Sequence, residues 1–126
     1  DGPCVAFEIN VGAVPKSRRE GSTNRGALDV HALQTVERDF AFVVADSVPS
    51  GEVVAAALGA DKKLVLAATV FDVFSGESLG PGVKSIAIRI TLQPIDHTLT
   101  ETEIDAVAAQ IVGAVEKSTG ATLRGQ

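Results

Sequence analysis

The sequence of 126 residues contains no tyrosine, tryptophan or methionine, and five phenylalanines are its only large aromatic side chains. The core must therefore consist mainly of valine, isoleucine, leucine and alanine. Hydrophobic residues make up 45% of the chain and charged residues 21%, which is the balance of a globular protein rather than a disordered one. This length is sufficient for one domain with a short extension.

Cysteine is represented only by Cys4, which excludes an internal disulfide and a cysteine-based metal cluster. No second histidine or cysteine stands at metal-ligand spacing from His31 or His97 in the sequence, so we predict no metal site. The sequence also lacks a signal segment and an apolar run near the ~20 residues that a membrane span needs. We therefore expect a cytoplasmic protein without a membrane partner. Because the chain begins with Asp1 rather than methionine, we expect it to be a piece of a longer protein.

Basic residues are outnumbered, with 11 lysines and arginines against 16 acidic residues and a net charge of -5. This balance argues against a broad surface that neutralises phosphates. A role with nucleic acid would then need a local patch or stacking on exposed bases. No sequence feature marks a nucleophile turn, and the loop at 80–85 lacks the contiguous Gly-Lys-Ser and following helix of a phosphate-binding loop. We predict no catalytic residue.

The N-terminal part of the chain divides into two predicted segments. Alternation of Phe7, Ile9 and Val11 predicts a strand within residues 1–14, which we interpret as the terminal strand of a preceding domain. Residues 15–30 are polar and prone to turns, which is typical of a linker. A separate domain is then expected over 31–126.

Within 31–126, the hydrophobic period changes in the order strand, helix, strand, strand, helix, strand. The first helix is expected to start at 46–49 and end at Gly59. Thr100 and Glu103 have the capping-box spacing, and Gly120 is placed to end the second helix. The predicted strands cover about 38–45, 64–74 with a bulge, 85–92 and 121–124.

This order predicts an α+β fold of the ferredoxin-like, split βαβ type, with two helices on one face of a four-stranded antiparallel sheet. The other face should remain partly open and carry Ala41, Arg89 and Phe74. Phe74 has two interpretations, a packed core residue or a platform on which a nucleobase stacks. In the second case, Ser85 and Arg89 are placed to supply hydrogen bonds and a phosphate contact.

Six segments in order resemble the ferredoxin-fold anticodon-binding domain that ends the β subunit of bacterial phenylalanyl-tRNA synthetase. They are residues 33–44, 48–49, 70–76, 84–89, 98–100 and 123–125. The resemblance covers about 31–126 and extends to 5–9, which are similar to the last strand of the preceding domain in that subunit.

The resemblance implies recognition of the tRNA(Phe) anticodon stem-loop, with the first anticodon base stacked on Phe74. It further implies contacts from Ala41 and Ser85, with charge from Arg89 and Lys84. The family usually has tyrosine at the position of Phe74, so a hydroxyl is missing here.

The resemblance also implies that this part of the subunit has no cofactor of its own. ATP and magnesium would be used elsewhere in the parent enzyme, and the partners would be the rest of the β subunit and the α subunit. The alternative from a different class is a ferredoxin-like module that uses the same face to sense a small molecule or to bind a protein.

Overall fold

Three long strands and two helices account for most of residues 31–125. This computed structural model describes residues 2, 4–15 and 31–125. Its strands are β1 (Val36–Ala45), β2 (Val65–Phe74), β3 (Val83–Leu92) and the short β4 (Thr122–Leu123). Its α-helices are α1 (Ser50–Ala60) and α2 (Glu101–Thr119), and single 3-10 turns occur at Val11–Ala13 and Glu77–Leu79.

The described strands form one antiparallel sheet in the order β2-β3-β1-β4. Along the chain the elements follow the predicted order β-α-β-β-α-β, so the ferredoxin-like fold is confirmed. The predicted bulge in β2 is also confirmed, but the register shifts twice, between Val65 and Ala67 and between Val70 and Asp72.

Apolar side chains on one face of the sheet pack against both helices. Phe42 and Val44 of β1 join Ile86, Ile88, Ile90 and Leu92 of β3 in the buried core. The helices contribute residues at helical spacing, namely Val53 and Ala57 from α1 and Ile104, Val107, Ile111 and Val115 from α2. Because all these strand residues point the same way, both helices cover a single face of the sheet.

Helix α2 has a complete set of end signals. Thr100 accepts a hydrogen bond from the Glu103 backbone N-H, while the Glu103 carboxylate accepts from the Thr100 backbone N-H at 2.8 Å. Gly120 follows the helix with φ of 66°, a left-handed conformation that favours glycine. The predicted capping box and helix end are confirmed. Helix α1 instead begins at Ser50, after the N-cap Pro49, because residues 46–48 form a turn closed by the bond from Val48 N-H to the Ala45 carbonyl.

The strand predicted within residues 1–14 is not formed in the described part of that segment, and its assignment as the terminal strand of a preceding domain stays a prediction. Residues 4–10 have no regular structure, and a single 3-10 turn follows them. Val5 and Phe7 are 98% and 87% exposed, and no ladder among the described residues pairs with this segment. A strand requires a neighbour to satisfy its backbone groups, so an alternating pattern alone does not produce one.

The chain separates into two compact units, Asp1–Val30 and His31–Gln126. The assignment of 1–14 to a preceding domain and of 15–30 to a linker stays a prediction, and 16–30 lies outside the described residues.

Replacing Ile88 by alanine should destabilise the domain by about 2 to 5 kcal/mol, because this fully buried side chain lies on the central strand β3. Chemical denaturation monitored by circular dichroism measures the change in the free energy of unfolding. Leu66→Ala is the matched control, since Leu66 is 56% exposed and should cost much less. Equal losses for both variants would contradict the assigned core.

The Glu103 carboxyl should make stability depend on acid pH. Hydrogen bonds from the Thr100 backbone N-H, the Thr100 hydroxyl and His97 lower its pKa to about 2. A carboxyl whose pKa is depressed in the folded state stabilises the fold above its unfolded pKa, and that contribution is lost as the pH falls from about 5 toward 2. Glu103→Gln should therefore flatten the stability profile in this window. A profile with the same slope in Glu103→Gln as in the wild type would contradict this assignment.

Candidate nucleic-acid interface

The sheet face turned away from the helices, called the open face below, is built from rows of three cross-strand neighbours. Each row takes one residue from β1, one from β3 and one from β2. The rows are Val43, Ser85 and Phe74; Ala41, Ala87 and Asp72; Asp39, Arg89 and Thr69; and Glu37, Thr91 and Ala67. The predicted residues Phe74, Ser85, Ala41 and Arg89 therefore share this face.

Phe74 is the largest accessible apolar side chain of the first row, with 42% of its surface exposed. Its ring lies against Gly76, where an added Cβ would stand only 2.6 Å from the Phe74 Cζ atom. The Gly76 backbone is extended, with φ of -169°, so glycine is needed here for space rather than for its conformation. The close approach of Gly76 fixes where the aromatic ring can lie.

Ser85 is far less accessible than its place on the open face suggests. Only 4% of it is exposed, and its cross-strand neighbours Val43 and Phe74 flank it on both sides. The Phe74 ring therefore provides most of the contact surface in this row. A hydrogen bond from Ser85 to a ligand requires the ligand to reach the narrow accessible margin of the serine.

The second row has the smallest side chains. Ala41 and Ala87 lie directly opposite each other and are half-buried. They line a depression of about 290 Å³ that Phe71 and Asp39 also border and that continues to residues of α2 and of the C-terminal segment. Small residues at this point let another molecule approach the sheet closely, next to the Phe74 row.

Arg89 is held in place by acidic neighbours. Its Nε and Nη2 atoms both donate to Asp39, to Oδ1 and Oδ2 respectively, at 2.8 Å each. Its Nη1 atom lies 3.7 Å from a Glu37 carboxylate oxygen, and its guanidinium carbon stands 5.5 Å from the centre of the Phe71 ring. The hydrogen bond from Arg89 lowers the pKa of Asp39, and the same bond raises the pKa of the guanidinium. Both groups are therefore charged throughout the physiological range.

Lys84 lies on the other side of the sheet from the remaining predicted site residues. It pairs with Val44 and has the same parity as Ile86, so it belongs to the face that the helices cover. Its Nζ atom donates to the Asp46 carbonyl at 2.8 Å, beyond the end of β1. The structure does not bring Lys84 together with Phe74 and Arg89.

Asp39 and Phe71 belong to this surface and were not among the predicted site residues. The sequence could have indicated Asp39, because it lies two residues from Ala41 on β1 and its side chain must point to the same face. Phe71 was harder to place, because it is the extra residue at the second bulge of β2, where the regular alternation breaks. Arg38, between Glu37 and Asp39, points the other way and contacts Glu101 of α2 at 3.3 Å.

Two other kinds of site find no support in the described part of the chain. Residues 2, 4–15 and 31–125 contain no group of three or more histidine, cysteine or acidic side chains placed to hold a metal ion. None of the helices in these ranges is both long and apolar enough to cross a membrane.

A split βαβ arrangement with both helices on one face of the sheet defines a ferredoxin-like α+β domain. Its other sheet face is open and carries an accessible aromatic side chain. Comparison with known protein families identifies the family within this fold class. The chain belongs to the ferredoxin-fold anticodon-binding domain family, which matches residues 32–124.

Similarity to curated relatives extends over almost the whole chain. The chain is similar to the phenylalanine-tRNA ligase β subunits of Rhodospirillum rubrum, at 49% identity over 123 residues, and of Rhodopseudomonas palustris, at 47% over 125 residues. The subunit from Bradyrhizobium diazoefficiens is 46% identical over 124 residues. These matches cover 98 to 99% of this chain but only 15 to 16% of each relative, so the chain spans about one sixth of their length.

Gly76→Ala should displace the Phe74 ring, because the new Cβ would overlap its Cζ atom. The expected result is a change in the aromatic proton resonances of Phe74, with little change in the rest of the spectrum. Gly51→Ala is the control, since nothing lies within 4 Å of a Cβ there. Unchanged Phe74 resonances in Gly76→Ala would show that the ring does not lie on this glycine.

Proposed function

We propose that this chain recognises the anticodon stem-loop of tRNA(Phe) as a non-catalytic domain of a phenylalanine-tRNA ligase β subunit. The first anticodon base would stack on Phe74. The observation that carries this proposal is the half-exposed Phe74 ring on the open face, in the row next to the small residues Ala41 and Ala87. Family membership and the named relatives support the same class of ligand.

Stacking suits this surface better than charge neutralisation does. The chain carries a net charge of -5, and Glu37, Asp39 and Asp72 all lie on the open face with Arg89. A phosphate backbone laid flat across these carboxylates would be repelled, whereas the π-face of a base can rest on an aromatic ring without a positive partner. The chain would therefore hold a few unpaired bases rather than a duplex.

The other predicted residues have secondary roles in this arrangement. Ala41 leaves room for the base to approach the sheet, and Ser85 offers a hydrogen bond from its exposed margin. Arg89 provides the positive group of the open face. Lys84 can contribute charge only from the end of the sheet, because its Nζ atom is bonded to the Asp46 carbonyl.

The reaction itself would take place elsewhere in the parent enzyme. This chain would use no cofactor, while ATP and magnesium would be bound by other parts of the ligase. Its partners would be the rest of the β subunit and the α subunit, in the cytoplasm. Its contribution to aminoacylation would be to select the correct tRNA.

Phe74→Ala should weaken binding of a tRNA(Phe) anticodon stem-loop by about 1 to 3 kcal/mol, the value of one base stacked on an aromatic ring. This corresponds to roughly a 5- to 150-fold rise in Kd, measured by titration of the chain with labelled stem-loop. Phe74→Tyr keeps the ring and should bind at least as well as the wild type. Ile95→Ala is the control, because this residue is 59% exposed in the connection between β3 and α2, away from the open face.

A stem-loop with a changed first anticodon base should bind more weakly to the wild type and show a smaller further loss with Phe74→Ala. Because stacking on Phe74 neutralises no phosphate, dependence on the identity of the anticodon base is what distinguishes this site from an apolar protein or small-molecule interface. Absence of binding at any salt concentration, or equal binding by the wild type and Phe74→Ala, would contradict the proposed function.

A further inference from the structure

We propose that Arg89, seated on Phe71 and fixed by Asp39, is a stacking platform for a second unpaired nucleobase of the same RNA loop. This inference rests on the proposed function, since it adds a second base position to the same open face. It gives Arg89 a different role from the phosphate contact that the sequence suggested, and it assigns roles to Asp39 and Phe71.

The guanidinium of Arg89 is unusually constrained for an exposed arginine. Two parallel hydrogen bonds of 2.8 Å to both oxygens of Asp39 fix the plane of the group. The Phe71 ring lies beneath its central carbon at 5.5 Å, within the range of a cation-π contact. The Arg89 side chain is nevertheless 48% exposed, so part of this oriented plane remains available to another molecule.

The charges around Arg89 disfavour binding of a phosphate but do not oppose stacking of a neutral base. One guanidinium faces the carboxylates of Asp39 and Glu37, so the cluster carries a net charge of -1. A phosphate bound to Arg89 would have to displace Asp39 or sit beside both carboxylates. A neutral base avoids this repulsion, and arginine planes and aromatic rings are the surfaces on which unpaired bases stack.

The two platforms lie two rows apart on the same open face, so unpaired bases of a single loop can reach both. Ser85, in the Phe74 row, and Arg89 are four residues apart on β3, which is roughly 13 Å at 3.3 to 3.4 Å per residue. The row between them contains Ala41 and Ala87, whose small side chains let a strand lie close to β1 and β3, and Asp72 completes the row on β2. Four-stranded sheets in other RNA-binding domains hold two or three bases on aromatic residues in this way.

Asp39 acts in this arrangement as a positioning residue. It does not need to touch the RNA, because both of its oxygens accept hydrogen bonds from Arg89. Without it, Arg89 would gain freedom of rotation and the cluster would become less negative. These two effects act in opposite directions on the two possible ligands: loss of orientation weakens base stacking, while loss of negative charge strengthens a phosphate contact.

The test uses stem-loops that carry 2-aminopurine at the second or at the third anticodon position, because stacking quenches its fluorescence. Wild-type chain should quench one of these probes, and this measurement needs no substitution. Arg89→Lys keeps the charge but loses the planar group, so it should abolish the quenching and raise Kd at least about fivefold. Asp39→Asn should reduce both quenching and affinity. Arg38→Lys is the control, since Arg38 precedes Asp39 on β1 and its side chain faces α2, where it contacts Glu101.

The phosphate alternative predicts the opposite pattern. Arg89→Lys would bind like the wild type, Asp39→Asn would bind more tightly at low salt, and Arg89→Gln would lower the salt dependence by a slope of about 0.7. Any of these results, or absence of quenching at both probe positions, would contradict the proposal that Arg89 is a stacking platform. The Phe74→Ala titration separates this failure from that of the proposed function: a loss with Phe74→Ala but none with Arg89→Lys leaves a single base site, at Phe74.

Discussion

The alternation of side chains along β3 is the constraint on which both the core and the candidate interface depend. β3 lies between β1 and β2, and its even-numbered residues from Ile86 to Leu92 are buried against the helices. Its odd-numbered residues Ser85, Ala87 and Arg89 consequently form the middle of the open face. A shift of one residue would exchange the two sets, so the hydrophobic core determines which side chains can meet a ligand.

The open face combines a low density of positive charge with accessible aromatic rings. Phe74 and Phe71 supply these rings, and Arg89 is balanced by Asp39 and Glu37. A surface of this kind gains little from phosphates in general, which limits binding to arbitrary nucleic acid. Its affinity would come from bases that are already unstacked, as they are in a loop. Under the proposed function, discrimination between RNA molecules would follow from the shape and spacing of the two proposed platforms.

The sequence predicted the features that depend on short, local rules. The order of elements, the capping box of Thr100 and Glu103, and the end of α2 at Gly120 are confirmed because each follows from hydrophobic period or helix-end chemistry. The pairing that places Phe74 beside Ser85 also agrees with the predicted open face.

Features that depend on neighbouring strands were not accessible from the sequence. Alternation in 4–11 resembled a strand, but a strand needs a pairing partner. β3 begins at Val83 rather than Ser85, so Lys84 lies inside the strand. Its side chain points to the same face as the core residues of β3. The second bulge of β2 places Phe71 beneath Arg89, and only the three-dimensional register reveals this contact with the Asp39 cluster.

Gly76 has a consequence for how the interface can evolve. Since a Cβ at this position would overlap the Phe74 ring, substitutions at residues 74 and 76 are epistatic. A smaller residue at 74 would relieve the restriction on 76, and a side chain at 76 would select against an aromatic at 74 in its present place. The two positions should covary among descendants of this chain, and retention of glycine at 76 should mark those that keep the platform.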